Sequence, residues 1–263
     1  MPRSSGLLLS LVFLTLLGAI SCGGSSSPGG GNIGPFNVVG DWQATFTANG
    51  GGSTTQPGAI SSSGLAAFFD GSGNIARMPT ISGANTFSGT LTAYAVNPTF
   101  FPNGTIVVTD SSQGKVSSAT SIAGTFTGNG TTSGSFTMAP YSALGGPVVP
   151  VSGTLNGRII GFVDTLQLTF LPDGSFTGTD FEGGGSNCNI SGNVTQDGTN
   201  NVFNVTYNNA SGACTPSTMT GLAFESKSDY FNVNGGVDAS YLYVIMLTST
   251  QASTRPSVYV IFQ

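Results

Sequence analysis

"TLQLTFLPDGSFTGTD", residues 165–180, decides the fold. Leu166, Leu168 and Phe170 alternate with Thr165, Gln167 and Thr169 until the chain reaches Asp173-Gly174. Successive side chains of an extended strand point to opposite faces, so this stretch puts its apolar residues on one side and its polar residues on the other. That is the pattern of a half-buried antiparallel strand. Asp-Gly accepts positive backbone φ angles, and its position predicts a two-residue hairpin turn followed by a returning strand.

The same pattern recurs along the chain. In "GDWQATFTA" (40–48), Trp42, Ala44 and Phe46 share a face opposite Gln43, Thr45 and Thr47. In "NVFNVTYN" (201–208), Phe203, Val205 and Tyr207 do the same. "SYLYVIML" and "SVYVIFQ" are apolar on both faces, which suits strands that are central or covered. "FFDGSGNI" (68–75) and "FFPNGTIV" (100–107) repeat the aromatic-then-turn arrangement of "FLPDGSFT". Roughly a dozen short strands and no helix are expected after the first segment, which predicts an all-β fold: an antiparallel up-and-down barrel or a β-sandwich. "GDWQATFT…AAFFDGSGNIA" and "GTLNGRIIGFVDTLQLTFLPDGSFTG" share an order of strand, strand, turn and strand, so the domain over 37–263 divides into two similar halves near residue 150, at "GPVVPVSG". Duplication and simple recurrence of hairpin chemistry explain that order equally well.

Composition agrees. Charged residues are 6% of the 263, against a typical ~25%, and glycine is 40. Gly costs about 1 kcal/mol per helical position relative to Ala, so this chain disfavours helices and suits strands joined by tight turns. Hydrophobic residues at 38%, with 18 Phe, supply a core that disordered chains lack. The net charge is -5 with no basic cluster, which leaves nothing to hold a nucleic-acid backbone.

"MPRSSGLLLSLVFLTLLGAIS" (1–21) places Arg3 before an apolar run from Leu7 to Leu17. The run is too short to span a bilayer, which needs about 20 apolar residues, and fits a signal peptide. Ala19-Ile20-Ser21-Cys22 resembles the lipobox of bacterial lipoprotein precursors. The resemblance implies cleavage before Cys22, acylation of its sulfur and a membrane anchor. Gly23 in the next position implies an outer-membrane address, with the periplasmic or outer face left open. Ala19 stands where that family prefers Leu, so ordinary signal-peptidase cleavage is the rival reading. Residues 22–36, rich in Gly and Ser, then form a tether with a mean span of about 20 Å.

Two further resemblances bear on the folded part. Gly40-Asp41-Trp42 resembles the Gly-x-Trp start of lipocalin-like barrels, in which a late Arg stacks on the Trp; Arg255 is the late candidate. "GTFTGNGTTSGSFTMAPYS", "GSFTGTDFEGGGSNCNISGNV" and "MTGLAFES" are similar to a group of bacterial exported lipoproteins, which implies an all-β envelope protein and no particular activity.

Cys188 and Cys214 flank a predicted hairpin, "NISGNVT"–"QDGTN"–"VFNVTY", and an exported chain meets an oxidising compartment. A Cys188–Cys214 disulfide is expected, with Cys22 left for lipid. The chain has no His, so a Ser-His-Asp or Cys-His site cannot be assembled, and no metal or cofactor site is expected. Catalysis would fall to a carboxylate pair acting on glycosides. Asp180 and Glu182 are the nearest candidates, about 7 Å apart if they share a strand face, although a solvated strand end looks the same. "DGSGN" (70–74) matches the start of a calcium loop but lacks its later Glu, and a plain hairpin turn explains it. The six Asn-x-Ser/Thr sites, Asn103, Asn129 and Asn189 among them, follow from Asn-rich turns. A transmembrane barrel would need outward apolar bands, whereas the faces opposite the core are Thr, Ser and Asn.

The expected function is therefore a lipid-anchored envelope protein with a binding or structural role and no catalysis. Its partners are the membrane and a small apolar ligand, a polysaccharide or a surface protein; an envelope carbohydrate-active enzyme and a surface adhesin are the alternatives. If a barrel interior is hollow, Trp42, Phe46 and Phe170 line the ligand site; in a filled barrel they are core.

Overall fold

In the computed structural model, Leu166, Leu168 and Phe170 face inward from a strand that is one of sixteen among the described residues. The structure describes residues 36–70, 74–95, 105, 107–128, 133–141, 152–159, 165–181, 187–198, 201–212, 217–227, 241–248 and 257–262. The described residues contain strands and turns and no helix. The leader, Cys22 and the tether up to residue 35 lie outside them, as do Glu182, Cys214 and Arg255.

The strands form two closed antiparallel barrels in chain order. The first contains β1 (Gly40–Ala48), β2 (Ser53–Ile60), β3 (Ala66–Phe69), β4 (Ile75–Arg77), β5 (Thr86–Tyr94), β6 (Val107–Ser118), β7 (Ser121–Gly128) and β8 (Gly134–Pro140). It closes where β8 pairs with β1, Phe136 opposite Phe46. The second contains β9 (Gly153–Ile159), β10 (Thr165–Phe170), β11 (Ser175–Phe181), β12 (Asn187–Gln196), β13 (Val202–Gly212), β14 (Ser217–Lys227), β15 (Tyr241–Thr248) and β16 (Ser257–Phe262). It closes where β16 pairs with β9, Val260 opposite Ile159. The all-β barrel expectation holds, and the described residues alone contain sixteen strands where roughly a dozen were expected. Short strands such as β4, three residues long, are hard to see by alternation.

The expected two-residue turn at Asp173-Gly174 is corrected, while those expected at 71–73 and 101–104 lie outside the described residues. At Leu171–Ser175 the Leu171 N–H donates to the Ser175 carbonyl (2.8 Å) and the Gly174 N–H to the Leu171 carbonyl (2.9 Å). The loop is Pro172-Asp173-Gly174, with Pro supplying the fixed φ of a turn's second residue and Gly174 at φ +83°. Such a loop is a type I turn closed by a left-handed residue. The same bonds close Ala48–Gly52 and Ser61–Leu65, with Gly51 at φ +85° and Gly64 at φ +80°. Asp173 accepts from the Ser175 hydroxyl (2.7 Å) and its N–H (2.9 Å), which together hold its carboxyl below the usual range.

Glycine has a second role that the turn reading missed. Six inward glycines in strands sit directly opposite, or beside, a large side chain of the adjacent strand. Phe68 lies over Gly58, Phe87 over Gly114, Phe136 over Gly124, Phe126 over Gly134, Leu168 over Gly178 and Phe176 over Gly192. Each pair is a cross-strand partner in the ladder. An eight-stranded barrel has an interior only wide enough for side chains to fill, and a ring laid on a neighbour's bare backbone fits that space. The high counts of Gly and Phe therefore belong together.

Each barrel has its own core. In the first, Trp42, Ile60, Phe68, Met78, Leu91, Ile122, Phe136 and Met138 pack together; in the second, Leu166, Leu168, Phe170, Phe176, Ile190, Phe203, Val205, Tyr207 and Met219 do. A third cluster joins the barrels. Ala59, Ala67, Phe69, Ile75 and Tyr94, outward on β2–β5, pack against Val202, Leu222 and Phe224, outward on β13 and β14. The Phe69 and Phe224 rings lie 5.9 Å apart at 31°. At the edge of this seam the buried Asp197 carboxylate accepts both the N–H and the hydroxyl of Ser62, in the β2–β3 turn.

Candidate binding surface

The residues singled out by sequence fall mostly inside the barrels. Trp42 is 2% exposed, and its indole N–H donates to the Val38 carbonyl at 2.7 Å, which satisfies the ring's one polar group. Phe46 packs among Phe68, Phe126 and Phe136, with ring centroids 6.1–6.4 Å apart. Phe170 meets Phe176 at 5.3 Å in the other barrel. Trp42 and Phe46 therefore share one interior, while Phe170 belongs to the second. The first interior also holds polar groups. Asp110 and Ser112 face inward on β6, and the Ser112 hydroxyl is buried without a hydrogen-bond partner among the described residues.

Asp180 is not at a solvated strand end. It is 2% exposed and inward on β11, between Leu166 of β10 and Cys188 of β12 in register. The outward neighbour is Phe181, 40% exposed. Asp70 in "DGSGN" is engaged in its own turn: the Asn74 N–H donates to Oδ1 (2.9 Å) and the Asn74 side-chain amide to Oδ2 (2.8 Å). That is hairpin chemistry.

Cys188 is wholly buried and disulfide-bonded. It sits across from Gly212, two residues before Cys214 in sequence. The expected pairing predicts a non-reducing peptide map with the Cys188 and Cys214 peptides joined, and a loss of about 3.5 kcal/mol in Cys188→Ser from loop entropy alone. Free alkylation of Cys214 in the oxidised protein would refute the pairing.

What sequence reasoning missed is on the outside. Strand register lines up polar residues across successive strands. In the first barrel Ser88, Gln113, Thr125, Ser135, Thr47 and Ser53 are consecutive partners from β5 through β8 and β1 to β2, and all are exposed. A parallel row runs Thr86, Lys115, Ala123, Thr137, Thr45 and Thr55. In the second barrel Thr154, Thr169, Thr177, Ser191, Asn208 and Thr218 make a similar row from β9 to β14. Neighbours hydrogen-bond across the ladder: Thr45 with Thr55 (3.2 Å), Thr154 with Thr169 (2.9 Å), and the Thr218 hydroxyl to Asn208 Oδ1 (2.9 Å). Alternate Thr was visible in the sequence, but its alignment into rows depends on register.

Between the two rows of the first barrel runs an open groove of about 620 Å³ across β5, β6 and β7. Its walls are Thr86, Lys115 and Ala123 on one side and Ser88, Gln113 and Thr125 on the other. Along its middle Phe87, Gly114 and Gly124 turn inward, so no side chain rises from the floor. Among the described residues no cluster of three or more acidic, Cys or His side chains could hold a metal ion. No family model, curated protein or solved structure matches the chain.

Proposed function

We propose that the chain is a lipid-anchored protein of the bacterial outer membrane that acts by binding or as a structural surface, without catalysis. The observation that carries this reading is the division of labour in the barrels. Packed apolar side chains dominate the interiors, and rows made mostly of hydroxyl and amide side chains, with Lys115 and Ala123 among them, cover the walls. A wall of this kind offers many weak, regularly spaced hydrogen-bonding groups and no strong nucleophile, base or metal ligand. The absence of His throughout the chain supports the same reading. The leader ending at Ala19-Ile20-Ser21-Cys22 and the Gly/Ser tether would hold both barrels clear of the lipid head groups.

The anchor is tested in cells fed labelled palmitate. Label is expected on the wild-type chain and absent from Cys22→Ala, which should also leave the membrane fraction. Label retained by Cys22→Ala, or none on the wild type, would remove the anchor and the localisation together.

A further inference from the structure

We propose that Asn49 is a site of self-modification: water converts its side chain to aspartate and isoaspartate, with loss of ammonia and without an enzyme. The chain contains five Asn-Gly dipeptides, and two of them, Asn49-Gly50 and Asn156-Gly157, lie among the described residues. The two are alike in sequence, and the fold treats them oppositely.

Asn49-Gly50 lies in the turn between β1 and β2, and both residues are exposed. The rest of the turn is held. The Ala48 N–H donates to the Gly52 carbonyl (3.0 Å), the Asn49 N–H to the Ser133 carbonyl (2.8 Å) and the Gly51 N–H to the Ala48 carbonyl (3.1 Å). Among the described residues no hydrogen bond engages the Gly50 N–H or the Asn49 side-chain amide. A Cβ on Gly50 would meet nothing within 4 Å, so the space around its nitrogen is open. Glycine also lets the backbone turn toward the neighbouring side chain without a steric cost.

Asn156-Gly157 lies inside β9. Gly157 pairs with Leu166 of β10 on one side and with Phe262 of β16 on the other. Asn156 Oδ1 accepts from Gln167 Nε2 (3.2 Å). Reaction there requires the ladder to open locally first.

The chemistry needs no oxidant or reductant. The Gly50 backbone nitrogen attacks Asn49 Cγ. The N–Cγ bond forms, the Cγ–Nδ2 bond breaks, and ammonia leaves with the proton that the attacking nitrogen gives up. Water then opens the five-membered imide at either carbonyl. Opening at Cγ gives aspartate. Opening at the backbone carbonyl gives isoaspartate, in which the main chain runs through Cβ and Cγ. Either product puts a carboxylate into a stretch with no charged residue between Asp41 and Asp70. The isoaspartate link also lengthens the backbone between Ala48 and Gly51, whose hydrogen bond closes the turn.

The test incubates the full chain in mildly alkaline buffer, folded and in urea, and maps its peptides by mass spectrometry. In the folded chain the Asn49 peptide should gain the mass of exchanging NH2 for OH and split into two isomers. The Asn156 peptide should react at least about tenfold more slowly, the effect of about 1.4 kcal/mol in the barrier. In urea that difference should vanish. Gly50→Val should slow the reaction at Asn49 by about tenfold, because a branched side chain crowds the attacking nitrogen. The position is open, so unchanged thermal unfolding verifies that the variant folds. An unmodified Asn49, equal rates at Asn49 and Asn156 in the folded chain, or a wild-type rate in Gly50→Val overturns the proposal. None of these outcomes bears on palmitate labelling of Cys22.

Discussion

Phe224→Ala is expected to lower stability by about 3–5 kcal/mol, the range for removing a fully buried aromatic ring. The side chain is 0% exposed although it points outward from its own barrel. Phe69 and the outward residues of β2–β5 cover it. Truncation would leave a cavity between two closed barrels, neither of which can easily collapse to fill it, because barrel strands are held by hydrogen bonds on both edges. The wild type should unfold in one transition, because the shared cluster and the Ser62–Asp197 bonds couple the barrels. In Phe224→Ala the transition should move to lower urea and separate into two. Phe181→Ala is the control: it is the same residue type on the same barrel's outer face, but 40% exposed, and its loss should fall within about 0.5 kcal/mol. Equal effects of the two substitutions would show that the seam contributes nothing.

Gly192→Ala should be nearly as damaging, about 3 kcal/mol, at the upper end for overpacking. A Cβ there would run into the Phe176 ring on one side and the Thr206 carbonyl of β13 on the other. The ring is 2% exposed and packed in the core, and the carbonyl is backbone, so neither can give way cheaply. Phe176→Leu alone removes ring area, yet it should partly rescue Gly192→Ala by vacating the space over residue 192. Urea titration of both single variants and the double variant measures the coupling, expected to exceed 1 kcal/mol in favour of the pair. Additive losses would mean that the ring and the glycine are not matched, and that the other five glycine pairs need a different explanation.

The two experiments address features of unequal legibility. Alternation placed Leu166, Leu168 and Phe170 on one face, and Phe203, Val205 and Tyr207 on another, and all six are buried inside the second barrel. It did the same for Trp42 and Ala44 in the first. These assignments are local: the pleat fixes which side chains share a face, whatever the strand pairs with. Asp180 shows where that local logic stops. It lies on the inward face with Phe176, and only the neighbouring Leu166 and Cys188 reveal that this end of the strand is enclosed. The polar rows were equally hidden, since alternate Thr and Ser become a continuous wall only when register aligns them.

By itself, then, the sequence determined that the chain is all-β, where many of its strands run, which faces are apolar and which catalytic chemistries are closed to it for want of His. Tertiary structure alone decided that β8 returns to β1 and β16 to β9, so that two barrels form and no sheet edge is left between them. It also decided that Val202, Leu222 and Phe224 face outward and are nonetheless buried. The physical reason is range. Side-chain periodicity is written into neighbouring residues, whereas barrel closure and the seam depend on contacts between segments far apart in the chain, which no local pattern encodes.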